Sequence, residues 1–168
     1  MTPLDIPFMI TAFATMIVII DPFAIGPMFL ALTPGMTPAQ RRRIAWRSVI
    51  IAALLLLVFA AFGEAVLGFI GISMPAFRVA GGVLLFLTAL DMLFDRRTKR
   101  REDQVEAEED HDDPSVFPLA IPLIAGPGSI ASVILLTGER PGAQGLITVV
   151  GITFVVLIIM GVTMQVSG

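Results

Sequence analysis

The 168-residue sequence is 56% hydrophobic and only 15% charged, and its mean hydropathy is +0.90. Soluble domains carry about 45–50% apolar and about 25% charged residues. Here the apolar residues form long runs, and about 20 apolar residues of helix cross a bilayer core of about 30 Å. A soluble fold is therefore excluded. The absence of cysteine excludes thiolate chemistry and a disulfide framework, and the N-terminus lacks the basic region of a cleavable signal.

The first apolar span runs from about Pro7 to Leu32 and contains two pairs of helix-breaking residues, Asp21-Pro22 and Gly26-Pro27. A proline in a helix interior removes one hydrogen bond and clashes with the preceding turn, at a cost of about 3 kcal/mol. The span is therefore predicted to be a discontinuous helix. The following Thr37-Pro38 is typical of an N-cap and first helical position.

Four further spans are predicted, and one of them is also interrupted. They cover about 48–72, 76–94, 116–137 and 145–164. The fourth span contains Pro118, Pro122 and the sequence Gly126-Pro127-Gly128, so it too is predicted to be discontinuous. The sequence thus predicts an all-α polytopic membrane protein with about five transmembrane helices.

The basic residues predict the orientation of these spans. Nine of the 11 lysines and arginines lie in the loops 33–47 and 95–115. Positive charge collects in cytoplasmic loops, so both loops are predicted to be cytoplasmic and the N-terminus outside. The loop 95–115 is a charged linker that is expected to stay solvated. It contains His111, whose surroundings lack a metal-ligand spacing, and no metal site is predicted.

The first and fourth spans resemble each other. Both contain a Gly-Pro step, at Gly26-Pro27 and at Gly126-Pro127, and both continue into an apolar stretch that ends in Leu-Thr. With three spans per unit, the second unit would be inverted relative to the first. Inverted repeats with broken helices are typical of secondary transporters. The free backbone groups and helix dipoles at such breaks suit a zwitterion, which favours a small amino acid as substrate.

Three motifs resemble the MarC family of inner-membrane proteins, which is also classed as a family of neutral amino acid transporters. They are DPFAIGPMFLALT (21–33), AFRVAGGVLLFLTALDML (76–93) and PLAIPLIAGPGSI (118–130). The resemblance implies six helices in two inverted halves, both termini outside, and transport of small neutral amino acids such as glycine or alanine. Relative to the family's first motif, Ala24 replaces a usual glycine.

The resemblance also implies a division of the chain. Residues 1–94 would form the first three-helix repeat, 95–115 the linker, and 116–168 a second repeat without its third helix. Either this sequence is a truncated copy of a six-helix protein, or another protomer completes the fold in a homo-oligomer. An inactive or accessory membrane protein without transport activity is therefore the alternative to a transporter.

The predicted substrate-binding residues lie at the breaks of the first and fourth spans. They are Asp21, Pro22, Gly26, Pro27, Gly126, Pro127 and Gly128. A carboxylate within a span is a candidate functional group, so Asp21 could bind a substrate ammonium, a proton or a cation; alternatively it caps the half-helix that begins at Pro22. The Gly-Pro steps either line the substrate or form simple kinks.

Other polar residues in the spans have simpler interpretations. Glu64 is either a proton relay or a carboxylate near the interface, and Arg78 is either an interfacial anchor or an attractor of carboxylates. Gly81-Gly82 is predicted to allow close helix packing. The arginines from Arg41 to Arg47 are a topology signal that also contacts anionic lipid headgroups.

These observations favour a multi-pass secondary transporter of the inner membrane, with the lipid bilayer and a small neutral amino acid as partners. Neither a cofactor nor nucleic acid is expected, and the direction of transport and the coupling ion, H⁺ or Na⁺, stay open. An intramembrane enzyme is not expected, because the only histidine lies in the linker and no Ser/Lys or Asp pair is evident within the spans.

Overall fold

The computed structural model describes residues 5–94, 96, 99 and 113–167, and throughout these residues the regular structure is helical. The ten-residue stretch Ser115–Ile124, which contains Pro118 and Pro122, is called the proline segment below. The helices are α1 Ile6–Ile20, α2 Pro22–Leu32, α3 Pro38–Phe69, α4 Met74–Leu93, α5 Pro127–Glu139 and α6 Ala143–Ser167.

The predicted membrane spans correspond to these helices. Residues Ile6–Leu32, α3, α4 and α6 are each long and apolar enough to cross a membrane. The proline segment and α5 form a further pair that is bent by 54°. The described residues therefore hold four such helices, or five if the bent pair is one span, and the prediction of an all-α membrane protein is confirmed.

Local sequence fixes where the helices begin. The Thr37 hydroxyl accepts a hydrogen bond from the Gln40 backbone N–H, and the Gln40 side chain accepts one from the Thr37 N–H. This capping box satisfies two N–H groups that the first turn leaves without helical partners. With Pro38 at the first helical position, the predicted start of α3 is confirmed.

The core lies where α6 packs against α1, α2 and α3, while α3 also packs against the proline segment and α5. Its fully buried side chains include Met16, Ile20, Phe29, Leu56 and Met160. Large apolar side chains also cover the outside, among them Ile50, Phe62, Phe86 and Ile147, which are more than half exposed. Apolar surface of this extent is unfavourable in water and suits contact with lipid.

Helix α4 lies at the periphery and packs mainly against α5. Gly81 is its one buried residue, and a Cβ atom there would lie 2.9 Å from Leu135 Cδ1 of α5. At Gly82 nothing lies within 4 Å of the corresponding position. The prediction of close helix packing is thus confirmed at Gly81 and wrong at Gly82, because adjacent helical residues point about 100° apart.

Candidate functional site

The first break lies at Asp21, between α1 and α2. Asp21 has left-handed backbone angles, φ 56° and ψ 66°, and its N–H donates to the Ile17 carbonyl at 3.0 Å. Its carboxylate accepts a hydrogen bond from the Ala24 N–H at 3.4 Å. Aspartate is one of the few residues that tolerate this conformation. The structure therefore places Asp21 as the cap that ends one half-helix and begins the next at Pro22.

Helix α2 continues without interruption through Gly26 and Pro27. A Cβ atom at Gly26 would lie 2.6 Å from the Ser167 Oγ atom of α6, and the Pro27 side chain is exposed. The expectation that these two residues form unwound backbone is wrong. One proline removes only one helical hydrogen bond, and the break at Asp21 already separates α2 from the preceding helix.

The second broken span begins with the proline segment. Phe117 and Ile121 have extended backbone angles inside it, and the peptide bonds to Pro118 and Pro122 are cis. A residue before proline disfavours helical angles because the proline ring crowds its backbone. Two such steps, four residues apart, prevent a regular α-helix here.

The break in this span lies at Gly126, as predicted. Gly126 is the N-cap of α5 and Pro127 its first residue, yet no side chain caps this helix. A Cβ atom at Gly126 would lie 2.5 Å from the Pro122 carbonyl oxygen, so only glycine fits without movement of the backbone. The Ser129 hydroxyl donates to the carbonyls of Ile124 and Gly126, at 2.9 Å each.

The two breaks meet in space. A Cβ atom at Gly128, in the first turn of α5, would lie 3.3 Å from Ile19 Cγ2, two residues before Asp21. The C-terminal end of α1 thus contacts the N-terminal end of α5. Helix N-termini carry partial positive charge and C-termini partial negative charge, so both signs are present at this junction.

Five of the seven predicted site residues are thereby placed at or beside one junction. They are Asp21, Pro22, Gly126, Pro127 and Gly128. Gly26 and Pro27 lie apart, about 7.5 Å and about 9 Å farther along α2 from Asp21 at 1.5 Å of rise per residue. By their position at the start of a helix, Asp21-Pro22 corresponds to Gly126-Pro127. The sequence had instead predicted that Gly26-Pro27 corresponds to Gly126-Pro127.

At the far end of each half-helix that starts at the junction, a backbone carbonyl accepts a hydrogen bond from an arginine of another helix. The Arg41 guanidinium donates to the Thr33 carbonyl at the end of α2, at 3.3 Å and 3.1 Å. Arg78 donates to the Gly138 carbonyl at the end of α5, at 3.0 Å. A cation at a helix C-terminus satisfies free carbonyls and stabilises the dipole, so these arginines have structural partners.

An ion pair joins distant parts of the chain at the end of the bundle where α1 begins. Arg140 donates to the Asp5 carboxylate, and its guanidinium lies 5.5 Å from the centre of the Phe8 ring. The hydrogen bonds from the Phe8 N–H and from Arg140 lower the pKa of Asp5. Because 135 residues separate the partners, no local sequence pattern predicts this pair.

A second ion pair lies at the opposite end, where α3 begins. Arg47 donates to the Asp113 carboxylate, just before the proline segment. The Ser115 hydroxyl and N–H groups, together with Arg47 and Arg43, lower the pKa of Asp113. Both ion pairs therefore join a residue of 1–94 to a residue of 113–168.

The remaining candidate groups do not add to the junction. Glu64 lies on an exposed face of α3. In the part of the chain that the structure describes, no three His, Cys, Asp or Glu side chains come together as a metal site would require. His111 and most of the charged linker lie outside the described residues.

Comparison with known proteins identifies the family of this chain. A model of the MarC family, described as integral membrane proteins, matches residues 6–168. The chain belongs to the MarC family. It is 40% identical over 137 residues to a UPF0056 membrane protein of Methanocaldococcus jannaschii, covering 81% of this chain and 67% of that protein. A second protein of the same organism is 41% identical over 134 residues, or 79% of this chain.

A bacterial relative is similar over most of the chain. The UPF0056 inner membrane protein YhgN of Escherichia coli is 34% identical over 154 residues, covering 89% of this chain and 76% of YhgN. The chain spans 59–67% of the length of the two M. jannaschii proteins. No solved structure matches the MarC chain described here.

Proposed function

We propose that this MarC chain forms the core of an inner-membrane secondary transporter for small neutral amino acids, with the substrate at the junction of the two helix breaks. The observation that carries the proposal is the contact between Ile19 and Gly128, which joins the end of α1 to the start of α5. Broken helices that meet inside a membrane protein are tolerated only where backbone is buried or lines a cavity, and in transporters they hold the substrate.

The two half-helix ends suit the two charges of an amino acid. The start of α5 lacks a side-chain cap, so its first-turn N–H groups favour a carboxylate. The Asp21 carboxylate and the C-terminal carbonyls of α1 favour an ammonium group. Asp21 accepts the Ala24 N–H through one carboxylate oxygen, and an ionised carboxylate can accept several hydrogen bonds at once. Capping and ligand binding are therefore compatible.

The residues around the junction favour a small substrate. Gly126, Gly128, Ser129 and Ala24 are all small residues. Glycine and alanine fit such a site better than substrates with long side chains. In this proposal Gly26 is a packing residue against α6, the Pro27 side chain is exposed, and neither residue contacts the substrate.

Transport requires that the junction open to one side at a time. The ion pairs Asp5–Arg140 and Arg47–Asp113 join the two parts of the chain at opposite ends of the bundle. They are suited to close the two sides in turn. By the distribution of basic residues, the Arg47 side is proposed to be cytoplasmic and the Asp5 side external.

The test is counterflow in proteoliposomes. The purified chain is reconstituted, loaded with unlabelled alanine or glycine, and supplied with the labelled compound outside; YhgN is measured in parallel as a longer relative. We expect saturable uptake that Gly126→Ala abolishes and Pro27→Ala leaves unchanged, because only the former residue lies at the junction.

Each other outcome has a distinct meaning. Uptake that Pro27→Ala abolishes and Gly126→Ala spares would place the site elsewhere and refute the proposed junction. Uptake by YhgN but not by this chain would show that the 168 residues alone are inactive. If neither protein exchanges alanine or glycine, the proposed substrate class is wrong.

A further inference from the structure

One face of α3 carries an open depression of about 790 Å³ at the end of the helix that is rich in arginine. Its lining includes Arg42, Arg43, Trp46, Arg47 and Ile50. At about 100° per residue these five positions fall within an arc of about 140°, so they lie on one side of the helix. Charged, aromatic and aliphatic side chains therefore follow one another along a single surface.

The four arginines of this region have different roles. Arg41 donates to the Thr33 carbonyl and Arg47 pairs with Asp113. Arg42 and Arg43 are exposed, and among the described residues no hydrogen bond or ion pair is formed by either guanidinium. Arg43 also acts electrostatically on Asp113, but the hydrogen-bond donors of both guanidinium groups are available for an anion.

The order of side chains along α3 matches the layers of a bilayer. Trp46 follows the arginines, and its ring packs against α6 where a Cβ atom at Gly161 would lie 3.3 Å away. Ile50 and Leu54 come next and are 56% and 58% exposed. From Arg43 to Ile50 the helix rises about 10 Å, roughly the depth from a headgroup phosphate to the first part of an acyl chain. Tryptophan is enriched at this level.

We propose that this surface is a binding site for an anionic phospholipid, with the headgroup phosphate at Arg42 and Arg43 and an acyl chain along Ile50 and Leu54. Guanidinium groups bind phosphate oxygens in pairs of hydrogen bonds. A free phosphate would satisfy the arginines only, whereas a phospholipid also covers the exposed apolar residues that continue the surface. The site lies apart from the junction of the helix breaks and does not depend on the proposed transport.

Trp46 gives a direct readout, since it is the one tryptophan of the chain and lines the site. The full chain is reconstituted in mixed vesicles in which either phosphatidylglycerol or phosphatidylcholine carries bromine on its acyl chains, at equal mole fraction. Brominated lipid next to Trp46 quenches its fluorescence. We expect stronger quenching when the phosphatidylglycerol is brominated, which reports its enrichment at the site.

The variants separate binding from folding. Each arginine near an anionic surface contributes about fivefold in affinity, so Arg42→Gln with Arg43→Gln is expected to lower the preference roughly 25-fold, to near none. Arg41→Gln is the control, because it makes the same substitution and removes one positive charge at a residue that caps α2. This control is expected to lower thermal stability in detergent and keep most of the phosphatidylglycerol preference.

Three results would overturn the proposal, and one further variant explains the first of them. Equal quenching by both brominated lipids is one, and a preference that survives in the double variant is another. Loss of the preference on adding millimolar inorganic phosphate, but not chloride of equal ionic strength, would assign the site to a free anion. If the wild type shows no preference and neutralising the acidic residues of 102–112 creates one, the linker occupies the site.

Discussion

Replacing Gly126 by alanine tests whether the second break is as tightly closed as the structure indicates. Its backbone angles, φ −86° and ψ 175°, are accessible to alanine, so no conformational strain arises. The added Cβ would lie 2.5 Å from the Pro122 carbonyl oxygen, nearly 1 Å inside a normal contact, and a backbone atom cannot rotate away. Overpacking of this kind costs about 1–3 kcal/mol, and we expect that loss in the free energy of unfolding.

Gly151→Ala is the matched control for the same change. Gly151 lies on the exposed side of α6, and nothing is within 4 Å of its Cβ position. There alanine lowers the entropy lost on folding and should leave stability unchanged or raise it by about 0.5–1 kcal/mol. Equilibrium unfolding in mixed micelles, followed through Trp46 fluorescence, compares the two. If Gly126→Ala is as stable as Gly151→Ala, the described closure between Pro122 and Gly126 is refuted.

Three further predictions concern other parts of the molecule. Asp21→Asn should retain stability within about 0.5 kcal/mol, because asparagine tolerates left-handed angles and caps helices, yet abolish counterflow; unaffected counterflow would exclude a role of the charge in binding. Gly81→Leu should destabilise the chain in the same unfolding assay by about 1–3 kcal/mol through overlap with α5, and Gly82→Leu should be tolerated; equal effects would refute the packing of α4. Because the pKa of Asp5 is lowered, its charged form favours the folded state, so stability should fall as pH drops from about 4 through that lowered pKa, and Asp5→Asn should remove this part of the pH dependence.

Hydropathy alone predicts most of the helices, since the long apolar runs leave little choice of structure in a membrane. The predicted span 145–164 corresponds to α6, Ala143–Ser167, and 76–94 to α4, Met74–Leu93. The largest difference is at α3, which begins at Pro38 and not near Ser48. Its first turns carry arginines and lie outside the apolar run, so hydropathy cannot detect them, whereas the capping signal Thr37-Pro38 does.

The position of the first break cannot be predicted by counting prolines alone. A proline is compatible with a helix as its first residue and costs one hydrogen bond in the interior. Pro22 is the first residue of α2, and Pro27 lies inside it. The residue that ends α1 is Asp21, because it can adopt left-handed angles and cap the next helix at once. Matching the two Gly-Pro steps therefore aligned residues with different structural roles.

The two broken spans resemble each other more in the structural roles of their residues than in their amino-acid sequences. Helix α2 starts at Pro22 after a break, and a carbonyl at its end accepts a hydrogen bond from Arg41. Helix α5 starts at Pro127 after a break, and a carbonyl at its end accepts a hydrogen bond from Arg78. The two caps differ, since the start of α2 has a carboxylate and the start of α5 has none. An exact repeat would place like charges at both starts, which would repel a zwitterion at one of its ends. The proposed binding of an amino acid therefore depends on this difference between Asp21 and Gly126. Gly126→Asp adds a second carboxylate at the junction, and in the counterflow assay it should abolish uptake even if the variant folds.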